Sequence, residues 1–483
     1  MMSTEQLNTA KGPHNTESKQ VFRHGLLGYP LGHSLSPLIH ESLMAAAGIK
    51  GTYELIEIAP ENLEANMPKL FNEFDGFNIT IPHKEAVIPF LTGLDISAAE
   101  FGAVNTVSQR RGFNTDRIGF RREQLPLAGR RVLVTGAGGV ARTMVWESRL
   151  AGGDVWIASR TNSRSEKLAS ELGVKVISLE ALSTSEPFDV VLNGTPAGMW
   201  PHTGALPLPE AIARAAGCLY DTIYNPLATK LLLVGHSLSP EHILADLKTG
   251  DSDKSATSNL PRVKEPIIRN GLGMLFEQAL AAQQIWHPDA VFTSEDQAAI
   301  RKTLPGAVFS RFPIKIILNG FMGSGKSTIG KGLADRLKLP FIDLDATMER
   351  TKGQSIPEIF ADQGEPWFRA FERQTLEKVL NQPGSLVLSV GGGALVEPET
   401  TDLLRAHPTQ TVFLHVPIAE LSKRLADGAG RPMLDGDVAQ RTHLLYEKRL
   451  PSYIATADLS VNAAGDEAAV IEKIVYSLGL ADI

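Results

Sequence analysis

Short runs of apolar residues recur along the chain: "RVLVTG" from Arg131, "DVWIAS" from Asp154, "DVVLNG" from Asp189, "KIILNG" from Lys315, "LVLSVGGG" from Leu386 and "TVFLHV" from Thr411. Each is too short for a helix and several end on glycine, the pattern of a strand buried on both faces. Between them lie stretches with helical periodicity, such as "ARTMVWESRLAGG" from Ala141 and "STIGKGLADRLK" from Ser327. Alternation of this kind predicts an α/β protein with parallel sheets covered by helices.

Two stretches break the alternation. "DLKTGDSDKSATSNLPRVKEP", from Asp246, is rich in Ser, Asp and Lys, and predicts a mobile polar insertion over about 246–262. "LPGAVFSRFP", from Leu304, carries two prolines and a glycine just ahead of an apolar run. It predicts a linker over 293–312 between separate cores. There is no internal repeat.

Composition narrows the functional classes. With 483 residues, 43% hydrophobic and 21% charged, the chain can fill two or three cores. A net charge of -7 argues against a general binder of nucleic acid or of membrane surfaces and favours small-molecule partners. No apolar run approaches the roughly 20 residues of a membrane span. The first 20 residues lack the apolar centre of a signal peptide and read as a flexible tail, with a cytoplasmic location expected. Cys218 is the only cysteine, which excludes an intramolecular disulfide and a cysteine metal cluster. A homo-oligomer is compatible with the sequence.

Two glycine loops suggest two nucleotide sites. In "RRVLVTGAGGVARTMVW" a strand leads into Gly136, Gly138, Gly139 and Ala141 in the pattern G-x-G-x-x-A, followed by a helix. Such glycines allow a tight turn and close approach of a pyrophosphate to the helix N-terminus, although a purely structural turn fits the triplet alone. The next strand ends "IASRTNSR", placing Ser159, Arg160, Thr161 and Arg164 where a cofactor with a free ribose hydroxyl would meet an acid. Cationic and hydroxyl groups there favour NADP over NAD.

The second loop, "LNGFMGSGKSTIG" from Leu318, has a strand before it and a helix after it. Gly320, Gly323, Ser324, Gly325, Lys326, Ser327 and Thr328 fit a loop whose backbone cradles the phosphates of ATP. Lys326 would neutralise the transferring phosphate and Ser327 would hold Mg²⁺.

Substrate groups are offered by the first hundred residues or so. In "GHSLSP", Ser34 and Ser36 stand two apart, so an extended segment would point both hydroxyls at one carboxylate. "FNITIPHK" contains Asn78, Thr80 and Lys84, "GAVNTV" contains Asn105 and "GFNTD" contains Asp116. A lysine beside a carboxylate can deliver the proton a carbonyl oxygen takes up when hydride arrives. Singly, each of these residues also fits a turn or a surface position.

Together with "GYPLGHSLSP", "SRTNSR", "NGTPAGM", "YDTIYNPLATKLL" and "GLGMLFEQA", these stretches make residues 25–290 resemble shikimate dehydrogenase, which reduces 3-dehydroshikimate with NADPH. The resemblance implies two α/β lobes facing across a cleft, the last helices returning to the first lobe. The substrate lobe would span 21–116 plus 268–292, and a Rossmann-type NADP lobe 117–267. It implies catalysis by Lys84 and Asp116, carboxylate binding by Ser34 and Ser36, and ring-hydroxyl contacts from Thr80, Asn105 and Gln278. Tyr224, Gly271 and Met274 would line the gap between substrate and nicotinamide. Arg117 departs from the small residue usual in the family, and the insertion from Asp246 lengthens the chain by about two dozen residues, where either a lid or an inert surface loop would fit.

Behind the second loop stand "FIDLDATME", "GEPWFRAFE", "SVGGGAL", "GRPML" and "YEKRLPSY", a set that resembles shikimate kinase over residues 313–475. The resemblance implies a phosphate-loop kinase domain with a parallel sheet, filling 313–483. Asp345 would bind the shikimate hydroxyls and accept a proton, and Asp343 would organise Mg²⁺. Arg369 and Arg449 would grip the carboxylate, and Gly391, Gly392 and Gly393 would admit the ring. Arg431, in a short lid spanning roughly Leu425 to Asp437, would reach the ATP phosphates. A bifunctional enzyme with 3-dehydroshikimate and shikimate as substrates is therefore expected. A quinate dehydrogenase, a kinase of gluconate or nucleotides, or a binding protein with decayed sites are its rivals.

Overall fold

The computed structural model describes residues 21–32, 34–249, 266–426, 438–481 and 483. The N-terminal tail, residues 250–262 of the expected polar insertion, and residues 427–437 of the expected lid, Arg431 among them, lie outside the described residues.

Three sheets follow one another along the chain. The first contains β1 (Phe22–Gly28), β2 (Gly51–Glu57), β3 (Gly76–Ile79), β4 (Gly93–Leu94), β5 (Thr106–Ser108) and β6 (Arg111–Phe113), in the order β2-β1-β3-β5-β6-β4. It is mixed: β5 runs antiparallel to both β3 and β6. The second contains β7 (Arg131–Thr135), β8 (Asp154–Ala158), β9 (Lys175–Val176), β10 (Val190–Asn193), β11 (Cys218–Asp221) and β12 (Ile267–Arg269), in the order β12-β11-β10-β7-β8-β9. All its pairings are parallel. Strand order reverses beside β7, so the loop leaving β7 stands at the crevice where such sheets bind ligands.

The third sheet contains β13 (Lys315–Asn319), β14 (Phe341–Asp343), β15 (Leu386–Ser389), β16 (Thr409–His415) and β17 (Leu459–Asn462), ordered β14-β15-β13-β16-β17 and parallel throughout. Every residue of β13 and β16 is buried. Their apolar centres, Ile316–Leu318 and Val412–Leu414, are strands buried on both faces.

The segment read as a linker between separate cores is part of a shared one. Residues Ser294–Arg311 form a helix capped by Thr293, whose side chain accepts from the Asp296 amide at 3.1 Å. Its Leu304 and Val308, with Phe312 beyond its end, join one apolar cluster running from Leu35, Leu227 and Phe276 to Ile316, Val412 and Ile474. Behind the prolines and glycine lies the spacing of Ile300, Leu304, Val308 and Phe312, which is four residues throughout and marks one helix face. Pro305 sits inside that helix.

Polar bonds reinforce the junction. The Leu238 amide donates to the Ser460 carbonyl at 2.9 Å, and the Ser460 amide donates to Ser237 Oγ at 3.1 Å, so residues 237–238 cover the edge strand β17. Gln410 Nε2 donates to the Ala228 carbonyl at 2.5 Å, Thr203 Oγ1 to the Thr409 carbonyl at 2.9 Å, and Trp200 Nε1 to the Pro313 carbonyl at 3.0 Å. Lys230 Nζ lies 3.3 Å from Asp458 Oδ1.

Candidate active sites

The first site forms where β3, the loop after β6 and the helix Leu272–Trp286 converge. Asp116 opens the helix Asp116–Arg122 and is buried there. Lys84 Nζ donates to Asp116 Oδ2 at 2.6 Å, and Asn105 Nδ2 donates to Asp116 Oδ1 at 2.8 Å. Asn105 Oδ1 in turn accepts from the Thr115 amide at 2.7 Å, so both ends of one amide fix the turn that carries Asp116. Thr115 Oγ1 lies 3.5 Å from Gln278 Oε1, bringing the helix Leu272–Trp286 to the same spot. Thr80 stands at the end of β3, half-buried. Asn78 is committed to the framework: it accepts from Tyr53 Oη at 2.7 Å and donates to Thr106 Oγ1 at 2.9 Å.

Ser34 and Ser36 do meet, their Oγ atoms 3.1 Å apart, but not in an extended segment. Ser36 is the first residue of the helix Ser36–Ala46, and its amide donates to Ser34 Oγ at 3.2 Å. The two hydroxyls converge because the chain turns into a helix there, a local bond that competes with extended structure. Tyr224 stands close by, its hydroxyl against the Leu35 backbone; burial raises its pKa. Its ring also meets Phe312 edge-on at 6.4 Å.

Across the cleft, the loop after β7 brings Gly139 so close that a Cβ built on it would stand 3.8 Å from Lys84 Cδ. Gly136 has φ +102°, and a Cβ there would lie 3.0 Å from the Gly194 carbonyl oxygen, so glycine is required. A Cβ on Gly138 meets nothing within 4 Å, leaving room for a phosphate at the start of the helix Gly139–Leu150. Ala141 is buried in the core under this loop. At the end of β8, Arg160, Thr161 and Arg164 are exposed, and neither guanidinium has a protein partner among the described residues. Ser159 Oγ donates to the Thr161 carbonyl at 3.0 Å. These residues fit a dinucleotide bearing a 2′-phosphate.

Gly271 and Met274 have packing roles. A Cβ on Gly271 would stand 1.9 Å from the Thr222 carbonyl oxygen. Met274 Sδ accepts from Tyr220 Oη at 3.3 Å inside the NADP-lobe core. Arg117, the departure from the family pattern, is engaged by Glu100 at 2.7 Å and by Glu147 at 2.5 Å.

The second site is built on β13, β14 and β15. Lys326 Nζ folds back on the loop, donating to the Gly320 and Phe321 carbonyls at 2.9 and 3.0 Å. Gly323 and Gly325 have φ of +79° and +86°, a conformation that lets successive amides face inward around an anion. Ser324 is buried, and Thr328 follows in the helix Lys326–Leu337. Ser327 Oγ donates to Asp343 Oδ2 at 2.7 Å. Among the described residues no group of three or more His, Cys, Asp or Glu side chains could hold a metal. The Ser327–Asp343 pair nonetheless suits Mg²⁺, which takes one or two protein oxygens and draws the rest from phosphate and water.

Asp345 has its pKa raised by burial and, secondly, by the neighbouring Asp343 charge. A Cβ on Gly391 would lie 3.0 Å from Asp345 Oδ1, and one on Gly393 2.7 Å from Arg369 Nη2, so side chains at either position would fill the space between these groups. Arg449 Nη1 donates to the Gly392 carbonyl at 3.1 Å, and Tyr453 Oη donates to the same oxygen.

Glu372, which sequence reading passed over, lies in the middle of this site. It is buried, 2.6 Å from Arg369 Nη1, with its pKa raised by burial. Its position three residues after Arg369 on the helix Glu365–Leu380 was the available signal, as was that of Tyr453 four residues after Arg449.

Two family models match separate stretches of the chain. The family model for the shikimate dehydrogenase substrate binding domain matches residues 26–107, and the shikimate kinase model matches residues 322–478. A shikimate dehydrogenase (NADP(+)) of Exiguobacterium sibiricum is 39% identical over 213 residues, covering 43% of this chain and 80% of that protein. One from Shouchella clausii is 40% identical over 223 residues, covering 43% and 81%. A chorismate mutase/shikimate 5-dehydrogenase fusion protein from Clostridium acetobutylicum is 29% identical, covers 60% of this chain and 98% of its own, and has a TM-score of 0.49. The chain belongs to the shikimate dehydrogenase family and carries a shikimate kinase domain on the same polypeptide.

Proposed function

We propose that the chain performs two successive steps, reduction of 3-dehydroshikimate to shikimate and phosphorylation of shikimate to shikimate 3-phosphate. The observation that carries the reading is the Lys84–Asp116 pair at 2.6 Å, set against Gly139 of the dinucleotide loop, in a chain that also holds Asp345 beside a phosphate loop. Residues 21–116 plus 268–292 bind dehydroshikimate, 117–267 bind NADP(H) and 313–483 form the kinase. The pool of partners is small molecules, and the setting is cytoplasmic, where NADPH and ATP are both supplied.

In the first site Ser34 and Ser36 hold the carboxylate, with Tyr224 beside them. Thr80, Asn105 and Gln278 orient the ring hydroxyls. NADPH, when bound, supplies the hydride; Lys84 gives the carbonyl oxygen its proton, and Asp116 holds the Lys84 ammonium in line. Arg160, with Ser159, Thr161 and Arg164 around it, recognises the 2′-phosphate.

In the second site ATP with Mg²⁺ supplies the phosphoryl group. Arg369 and Arg449 orient the carboxylate, Lys326 offsets phosphate charge, and Asp345 positions the acceptor hydroxyl and takes its proton. A carboxylate whose pKa is raised is a better base for that purpose.

The test supplies purified chain with 3-dehydroshikimate, NADPH, ATP and Mg²⁺ and follows shikimate 3-phosphate by mass spectrometry. Omitting NADPH should stop both products, and omitting ATP should leave shikimate. Preference for quinate with NAD, or no phosphorylation of supplied shikimate, would overturn the corresponding half.

A further inference from the structure

His415 ends β16 inside the kinase domain and is buried. Its ring is held from both sides. Nδ1 lies 3.0 Å from Tyr446 Oη, and Nε2 lies 2.9 Å from Asp246 Oδ2. Asp246 belongs to the helix Pro240–Thr249 of the dehydrogenase half, at the start of the polar insertion. A carboxylate only accepts, so the His415 Nε2 proton faces Asp246 and Nδ1 is left to accept from the Tyr446 hydroxyl.

Tyr446 lies on the helix Val438–Thr456, on the same face as Arg449 and Tyr453, three and seven residues further on. All three are buried, and the last two bind the Gly392 carbonyl. The Tyr446 ring also meets Phe321 of the phosphate loop edge-on at 5.3 Å.

We propose that Asp246, a residue of the dehydrogenase half, is a positioning residue for the kinase, fixing through His415 and Tyr446 the helix that presents Arg449 to the shikimate carboxylate. This rests on the kinase reading above. Arg449 is the residue of that helix proposed to meet the substrate carboxylate, so loss of the contact is read in substrate binding more than in turnover.

The test uses the full chain. Asp246→Ala should raise KM for shikimate by about three- to tenfold, the scale of one lost hydrogen bond, with kcat, KM for ATP and dehydroshikimate reduction unchanged. Asp246→Asn keeps an acceptor oxygen for Nε2 and should restore KM. Tyr446→Phe breaks the same path from its other end; it should raise KM alike, and the double variant should be no worse than either single one. If Asp246→Ala folds poorly, the Tyr446→Phe measurement decides. An unchanged KM, an Asn variant as impaired as the Ala variant, or additive effects in the double variant would overturn the proposal and leave the kinase reading intact. Failure of the unaltered chain to phosphorylate shikimate would remove both.

Discussion

Arg117 Nε lies 2.5 Å from Glu147 Oε1, tying the helix that begins at Asp116 to the helix that follows the dinucleotide loop. The Glu147 side chain is 5% exposed, and Arg117 reaches Glu100 at 2.7 Å with its other end. Arg121 Nε donates to the other Glu147 oxygen, but its side chain is 55% exposed and that pair is the more screened by solvent. Arg117→Ala should therefore lower the unfolding free energy by about 1 to 3 kcal/mol, the range for leaving a buried carboxylate under-compensated. Urea denaturation measures it. The dehydrogenase kcat/KM should fall too, since Asp116 is the adjacent residue; unaltered stability would show the bridge to be inert.

Lys84→Ala removes the proposed proton donor. A positioned general acid contributes on the order of 10² to 10⁴ in rate, so dehydroshikimate reduction should slow by at least about a hundredfold. Substrate binding should change less, because Ser34, Ser36, Asn105 and Gln278 keep their places. Phosphorylation of supplied shikimate by the same variant should proceed at the normal rate. Reduction at the unaltered rate would remove Lys84 from the chemistry.

Arg160→Ala addresses the cofactor. The exposed guanidinium at the end of β8 is proposed to pair with the 2′-phosphate, so its loss should weaken NADPH binding by about 1.5 to 3 kcal/mol. NADH, which lacks that phosphate, should bind as before. Equal losses for both cofactors, measured by fluorescence titration, would make Arg160 a structural residue.

Much of the two sites was legible because each motif is local. The phosphate loop, the dinucleotide loop and "GFNTD" are strand-to-helix junctions whose backbone needs particular residues at fixed spacing. The junction between the halves was not legible for the opposite reason. Leu238 against Ser460, Lys230 against Asp458 and Asp246 against His415 join residues more than 150 apart, and no short-range pattern marks such pairs. Glu372 was not legible because an acid three residues from an arginine on a helix is also the pattern of an ordinary surface ion pair, and only burial sets this one apart. The Ser34–Ser36 pair was right in partners and wrong in backbone: proximity came from a helix start rather than from strand alternation.

A cluster of histidines makes the substrate lobe acid-sensitive. His24 stacks on Trp286 at 4.3 Å, and its Nε2 lies 3.0 Å from His287 Nε2. Burial, which disfavours the charged ring, lowers the His24 pKa from 6.5 to about 4. His40 and His287 are lowered for the same reason. Between the folded and unfolded values the unfolded chain binds more protons. Stability is therefore fully present above pH 6.5 and is lost as pH falls through about 4, by about 3 kcal/mol for His24 alone. Denaturation midpoints across that window should show the loss. His24→Phe should flatten the profile; a slope unchanged by that substitution would assign the sensitivity elsewhere.

The continuous apolar cluster from Leu35 to Ile474 implies that the two halves unfold together. Cleavage near Phe309 would cut the helix Ser294–Arg311 short of its end, expose Leu304, Val308 and Phe312, and leave the β17 edge without residues 237–238. The Asp458 side chain is 12% exposed at this junction, where desolvation raises its pKa and Lys230 opposes the rise. Lys230→Ala would leave that carboxylate without its cation, though with its bond from the Thr411 amide, at a cost of about 1 to 3 kcal/mol. Calorimetry of the full chain should therefore show one cooperative transition, and Lys230→Ala should move the whole of it to lower temperature rather than split off part. A fragment beginning near Phe309 should melt well below the full chain. Two transitions of independent midpoint in the unaltered protein, or a fragment as stable as the whole, would mean that the shared cluster does not couple the halves.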